Sequence, residues 1–405
     1  MEGIGQDVRY GIRSLTGSPG FTAVALLTLA LGIGANTAIF SVVDGVLLEP
    51  LPWEEPHELV WIDETRVDGG SMSVAWPNYE DWRRIATPAS AEGIAAFGFR
   101  TPTVLGGPEP VRIEGAVVTG DFWRVFPVAP LAGRLTLPDD HREGAGPVLV
   151  VARSLARDAL GAVDPAEAVG RTLDVGGTTF EVVGVVPDAF DFPAGSRHWS
   201  PAERTGGNSS RTSHNWSVVG RLADGVTAGA LAEPLDALQA RVAEDVPPED
   251  LEYMAVGVNV IPLHEQVVGD VRTPLLILLG AAGFVLLVAC TNLASTLLAR
   301  GTARARELAV RSALGGTRGR LVRQLLTESL LLAAATLGVL RRLGGGAVPR
   351  LDAVALDGRV LAFTLGAAVL TALAFGLLPA LRSSGEARAQ ALKAGGRGGI
   401  GRHGR

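Results

Sequence analysis

The pattern of apolar and polar positions divides the chain sharply. From Ser14 to Val43 no residue is charged, and Phe21–Val43 forms an apolar run of 23 residues. At ~1.5 Å per helical residue, such a run crosses a hydrocarbon layer of ~30 Å. A second uncharged run, Thr273–Ala299, has 27 residues, and a third, Val360–Leu381, has 22. Leu325–Leu340 is shorter, at 16 residues, and contains Glu328. As a straight helix it covers only about 24 Å. A secretory signal would show an apolar stretch of about 7–15 residues and then a small-residue cleavage site. The first run instead passes into Asp44-Gly-Val-Leu-Leu-Glu49-Pro50, so it reads as a retained anchor.

Between the first two runs the period changes. Short β-like stretches, bounded by turn residues, fall at Leu59–Ile62, Val111–Val118, Val148–Val151, Leu173–Val175, Thr179–Val186, Trp216–Val219 and Ala255–Ile261. Helical patterns interrupt them at Trp76–Ile85, Ala152–Leu160 and Thr227–Asp245. In the last, Leu231, Leu235, Leu238 and Val242 lie three or four apart, an amphipathic stripe. The region predicts an α+β domain of two subdomains, with boundaries in the Gly- and Pro-rich stretches near 132–147 and 187–215.

Charge gives these elements a direction. Of the chain's 405 residues, 19% are charged and the mean hydropathy is +0.28, an unusually apolar balance for a soluble protein. Residues 44–272 hold 35 acidic and 17 basic side chains, whereas the rest holds 7 and 19. Positive charge therefore flanks apolar runs instead of forming the contiguous patch a nucleic-acid binder needs. Seven arginines lie between Arg300 and Arg323, and six basic residues follow from Arg382. The positive-inside rule assigns both flanks to the cytoplasm. Leu325–Leu340 must then cross as well, to pair with the last run.

The predicted fold is an α-helical integral membrane protein with four transmembrane helices and a large extracytoplasmic α+β domain inserted between the first two. Its segments are a cytoplasmic N-terminal stretch 1–20, a span 21–43, the outer domain 44–272, a span 273–299, a cytoplasmic loop 300–324, a short span 325–340, an outer loop 341–359, a span 360–381 and a basic tail 382–405. Both termini are cytoplasmic. The outer loop 341–359 is discordant, with four arginines against two acids. Within the spans, Ala30, Gly34 and Ala38, and Ala368, Ala372 and Gly376, recur at fourfold spacing, which permits close helix approach in lipid. Abundant glycine and alanine would give the same spacing without packing. Glu328 is a costly residue at a membrane boundary, and snorkelling at the inner interface accounts for it.

Enzymatic chemistry is hard to find. Lys393 is the only lysine, and alanine follows it. The P-loop needs Gly-Lys-Ser/Thr, whose lysine reaches the β/γ-phosphates, so ATP hydrolysis by that route is excluded. One cysteine excludes a disulfide framework or a multi-cysteine metal site. Asp139, Asp140 and His141 form an acidic, metal-like cluster in a polar loop where solvation is the simpler role. His57, His198, His214 and His264 show no ligand spacing. No metal, catalytic or cofactor-binding residue is predicted. The informative cytoplasmic element is ARARELAVRSAL (303–314), a helical pattern with a Glu307–Arg311 pair at i,i+4. It breaks at Gly315-Gly316 before a second helical pattern leads into the third apolar run.

These segments together resemble a known family. VGDVRTPLLILLGAAGFVLLVACTNLASTLLARGTARARELAVRSALGGTRGRLVRQLLTESLLL (268–332) is similar to the permeases of MacB/FtsX-type ABC transporters, in the bacterial subgroup of duplicated permeases. So are DVRYGIRSL (7–15), LALGIGANTAIFSVVDGVLLEPLP (29–52), VGRTLDVGGTTFEVVGVVPDAFDFP (169–193) and LDGRVLAFTLGAAVLTALAFGLLPALRSS (356–384). The resemblance implies four spans, a bacterial inner-membrane location, dimerisation with itself or a second permease half, and a separate cytoplasmic ATPase. That ATPase would use ATP; this chain would bind no cofactor and catalyse nothing itself. Carried over by position, the ATPase-facing residues are Arg304, Arg306, Glu307, Arg311 and Leu314. Two features depart from the family. The third span turns early to Arg341-Arg342, and the chain ends near where a second copy of the unit would begin. The expected function is coupling of ATP hydrolysis to movement of the outer domain for export or envelope processes. The alternatives are a membrane-anchored module regulating an extracytoplasmic partner, and an inactive half of a duplicated permease.

Overall fold

The first apolar run folds as helix α1, Pro19–Val43, and ends in a π-helical turn at Asp44–Leu48. The computed structural model describes residues 19–105, 110–203, 210–247 and 249–303, with Arg13, Thr16 and Gly17. The spans expected at 325–340 and 360–381 lie outside these residues, as do the loop beyond Ala303 and the basic tail. The chain divides into two compact units, one containing Met1–Glu49 and Asp270–Arg405, the other Pro50–Gly269. Among the described residues, Leu263–Ala289 is long and apolar enough to cross a membrane. It belongs to a 41-residue helix, Leu263–Ala303.

The Pro50–Gly269 unit is α+β. Its strands, in chain order, are β1 (Leu59–Thr65), β2 (Ser71–Met72), β3 (Val74–Ala75), β4 (Ala91–Arg100), β5 (Thr103–Leu105), β6 (Val111–Arg112), β7 (Gly115–Val118), β8 (Ala132–Gly133), β9 (Val148–Ala152), β10 (Thr172–Val175), β11 (Thr178–Val186), β12 (His198–Pro201), β13 (His214–Leu222) and β14 (Gly257–Pro262). The helices between them are α2 (Trp76–Ile85), α3 (Phe122–Val125), α4 (Arg153–Leu160) and α5 (Ala228–Glu244); the Leu263–Ala303 helix is α6. The main path of the sheet runs β14-β1-β13-β4-β7-β12-β9-β11-β10-β5-β6. The two expected subdomains are therefore halves of one sheet. The reason is β12, which pairs with β7 in parallel and with β9 in antiparallel and joins the halves through backbone hydrogen bonds.

Alternation sorts the side chains of each strand into separate cores. In β9, Val148, Val150 and Ala152 enter an aromatic cluster with Phe97, Phe122, Phe126, Phe190, Phe192 and Trp199. Leu149 and Val151, on the opposite face, join Leu155 and Ala156 of α4 and Phe180 and Val182 of β11. Both faces of β9 are buried, so it reads as an unbroken apolar run. A bulge at Val183 shifts the β9–β11 register between Val182 and Gly184. There β8 crosses so closely that a Cβ on Gly184 would stand 2.0 Å from the Arg134 carbonyl oxygen.

A third cluster packs Trp76, Tyr79 and Trp82 of α2 and Leu231 and Leu235 of α5 on the β1–β13–β4 sheet. Helix α5 begins at Thr227, whose Oγ1 accepts from the Ala230 N–H at 3.3 Å. Its buried face is Leu231, Leu235 and Gln239, with Leu238 only partly covered. Gln239 is held there because its Nε2 donates to the Ala255 carbonyl at 3.0 Å. The strand expected over Val111–Val118 is interrupted at Ile113, whose N–H turns to the Pro102 carbonyl.

Candidate functional site

In the unit containing α1, a polar contact joins this helix to α6. Asn36 is 4% exposed, and its Nδ2 donates to Gly32 O in its own helix and to Ala282 O in α6, each at 2.9 Å. Gly32 permits the approach, since a Cβ there would lie 2.9 Å from Leu286 Cδ1. In a lipid environment an amide needs such a partner. The small-residue stripe predicted at Ala30, Gly34 and Ala38 is offset from this contact by two residues, which turns a helix by about 200°. Gly34 is half-buried and Ala38 exposed; among the described residues no contact decides whether this stripe packs against another helix. Ala368, Ala372 and Gly376, and the loop residues Arg304, Arg306, Glu307, Arg311 and Leu314, lie outside the described residues.

The outer unit carries a buried ionic network. Glu64 of β1 is fully buried and accepts from the Ala75 N–H at 2.9 Å, from Asn78 Nδ2 at 2.6 Å and from His214 Nδ1 at 2.5 Å. The other ring nitrogen of His214 faces the Tyr253 carbonyl at 2.8 Å. Both nitrogens thus meet acceptors, and the ring can satisfy both only as an imidazolium. Its pKa is accordingly raised, chiefly by the Glu64 hydrogen bond, against the opposing effect of burial. Arg211 extends the network to Asn78 Oδ1 and, at 2.7 Å, to Asp81 Oδ2. The arrangement ties β1, β13 and α2 together, and it offers no free nucleophile or base.

The Asp139–Asp140–His141 stretch divides: Asp139 is solvated, with its side chain 79% exposed, whereas Asp140 and His141 are held by specific partners. Asp140 pairs with Arg134 at 2.6 and 3.2 Å and accepts from the Leu137 N–H. Partial burial alone would raise its pKa, but these bonds outweigh it and lower the value. His141 is buried between Glu203 Oε2 at 2.7 Å and Thr136 Oγ1 at 2.8 Å, and that hydroxyl also accepts from Trp123 Nε1. Among the described residues no group of three or more His, Cys, Asp or Glu could hold a metal ion.

His198 is different. It is 2% exposed, and neither ring nitrogen has a hydrogen-bond partner among the described residues. Burial alone pushes its pKa down to about 4, so the ring is neutral. It packs against β7, where a Cβ on Gly115 would stand 2.3 Å from the ring. The sequence pattern singled out neither Asn36 nor Glu64, and His214 was set aside for lack of ligand spacing. Asn36 alone had a signal, as an amide inside an uncharged apolar run; the others sit in strands whose pattern does not mark them.

Residues 22–238 match the family model described as the MacB-like periplasmic core domain. Among solved structures, the periplasmic region of MacB from Actinobacillus actinomycetemcomitans aligns at 12% identity over 58% of this chain and 98% of its own, with a TM-score of 0.39. The extracellular domain of the noncanonic ABC-type transporter YknZ from Gram-positive bacteria aligns at 13% identity over 50% of this chain and 99% of its own, with a TM-score of 0.38. No curated protein sequence matches. The family match spans more than half of the chain and takes in the α+β unit from its start through β13 and into α5; the chain belongs to the MacB-like periplasmic core domain family, that of the MacB/FtsX-type permeases.

Proposed function

We propose that this chain is the transmembrane subunit of an ABC transporter of the MacB/FtsX type. It crosses the bacterial inner membrane four times, with both termini in the cytoplasm, and works as a dimer with itself or a second permease half. A separate cytoplasmic ATPase binds and hydrolyses ATP. The loop after the second span receives the resulting movement through Arg304, Arg306, Glu307, Arg311 and Leu314, and the outer unit responds to it. The observation that carries this reading is sequential: a MacB-like α+β unit is bracketed by two apolar helices, α1 and α6. The arginine-rich segment directly after α6 adds support, because positive charge marks a cytoplasmic flank.

The test is co-purification. The chain expressed with its ATPase retains that subunit through detergent extraction and affinity capture. Arg304→Glu, Arg306→Glu and Arg311→Glu together release it while the chain remains in the membrane. Undiminished capture of the ATPase by the triple variant would overturn the assignment of the loop.

A further inference from the structure

A cleft on the outer unit lies between the end of α2, the start of β4 and α3. Its volume is about 140 Å³, and its lining includes Arg83, Pro88, Glu92, Ile94, Asp121 and Arg124. Drug-sized ligands occupy pockets of roughly 300–1,000 Å³. A space this small takes one charged group and the few apolar atoms that carry it, which is the size of a single amino-acid side chain.

The two arginines are held in place with donors to spare. Arg83 Cζ lies over the Tyr79 ring, 5.8 Å from its centroid. Its Nη1 stands 4.0 Å from Glu203 Oε1, beyond hydrogen-bond distance, and its guanidinium makes no hydrogen bond among the described residues. Glu203 does not depend on it, because Oε1 accepts from the Gly120 N–H at 3.0 Å and Oε2 faces His141 Nδ1 at 2.7 Å. Arg124 meets Asp121 Oδ1 at 3.5 Å, long for a charge-assisted bond, which is ordinarily about 2.7–2.9 Å. The buried Arg221, by contrast, commits its donors to the Val125 and Glu54 carbonyls and to the Glu58 carboxylate. The side chains of Arg83 and Arg124 are 43% and 64% exposed, and each guanidinium carries five N–H donors in a planar fork that matches a carboxylate.

Charge decides what the cleft can take. Glu92 is exposed, and its carboxylate has no partner among the described residues. The cleft therefore offers both signs, within a region that holds 35 acidic and 17 basic side chains between residues 44 and 272. Such a surround repels a polyanion. It accepts a single carboxylate that is flanked by N–H donors, with the carboxylate on the arginine pair and an N–H on Glu92. A peptide segment bearing one Glu or Asp has that composition, and Pro88 and Ile94 supply apolar contact for its methylenes.

We propose that this cleft docks an acidic side chain from a peptide segment of a partner protein, received by Arg83 and Arg124, with Glu92 accepting from the segment's backbone. The site is built from the outer unit alone and stands independently of the transport reading above.

The experiment uses the full chain in detergent micelles and saturation-transfer NMR with two probes, acetyl-Ala-Glu-Ala-amide and acetyl-Ala-Gln-Ala-amide. The glutamate peptide binds, and the glutamine peptide binds at least about tenfold more weakly, the factor expected for one charge-assisted contact. Arg83→Gln and Arg124→Gln each weaken the glutamate peptide by about tenfold. Both keep the thermal transition of the unsubstituted chain, since the side chains replaced are solvent-exposed. Arg153→Gln, at an exposed position on α4 outside the cleft, leaves binding unchanged. Equal binding of the two peptides, or undiminished binding by either cleft variant, overturns the proposal. Displacement of the glutamate peptide by an equal concentration of inorganic phosphate reveals a bare anion site and overturns the peptide assignment.

Discussion

His198 and His214 place opposite demands on pH, and their neighbours explain why. His198 is buried neutral with a pKa near 4, below the ordinary 6.5. The unfolded chain therefore binds the extra proton between those values, and this contribution to stability is lost as pH falls from 6.5 toward 4. A shift of that size corresponds to about 3 kcal/mol. His214 is raised by its bond to Glu64, so its contribution is complete below 6.5 and is lost as pH rises through its folded value. Thermal unfolding of the outer unit across pH 4–9 should show both limbs. His198→Leu removes the acid limb and stabilises the unit at pH 5 by about 1–3 kcal/mol, since it replaces a buried ring whose nitrogens have no described partner. An unchanged acid limb in that variant would refute this account. His214→Phe instead leaves Glu64 buried without its cation and destabilises by about 3–5 kcal/mol at pH 6.

Helices and strands differ in how openly the sequence declared them. Val148–Ala152 and Thr178–Val186 are rich in β-branched residues and stand out from their flanks. The central strand Ala91–Arg100, AEGIAAFGFR, is built mostly of alanine, glycine and phenylalanine and does not. Its small residues are needed because other elements pack closely on it; a Cβ on Gly93 would meet Arg124, Val125 and Asp121 at 3.5–3.7 Å. His198–Pro201 was equally hidden, since it starts with histidine, ends with proline and spans four residues. For α1, fourfold small-residue spacing was visible, whereas the contact of Asn36 with α6 was not. The contact through Asn36 and Gly32 predicts that Asn36→Leu weakens association of α1 with α6 by about 0.6–2 kcal/mol. Gly32→Leu weakens it further by forcing Leu286 away. Thermal unfolding of the helical signal in micelles measures both, and equal stability of the three proteins would exclude this contact.

At the scale of the whole chain, compartment and fold come from different sources. The topology proposed from charge predicts that a cysteine at Val163, which is 79% exposed, reacts with an impermeant maleimide added outside intact spheroplasts once Cys290 is replaced by serine. A cysteine at Arg318 should react only after the membrane is opened, and the reverse pattern would invert the topology. The long apolar runs, the change to short alternating stretches between Pro50 and Gly269, and the missing P-loop lysine were all present in the order of residues. Hydropathy and charge act locally and sum along the chain, so a sequence can fix them by itself. Contacts between distant residues cannot be read that way. The Glu64–His214 pair is separated by 150 positions and the Arg221–Glu58 pair by 163. Each polar group found its partner only when the sheet brought β1 and β13 side by side. The tertiary structure alone determined which histidine is charged, which has no hydrogen-bond partner among the described residues, and which arginine fastens the chain that follows the first helix.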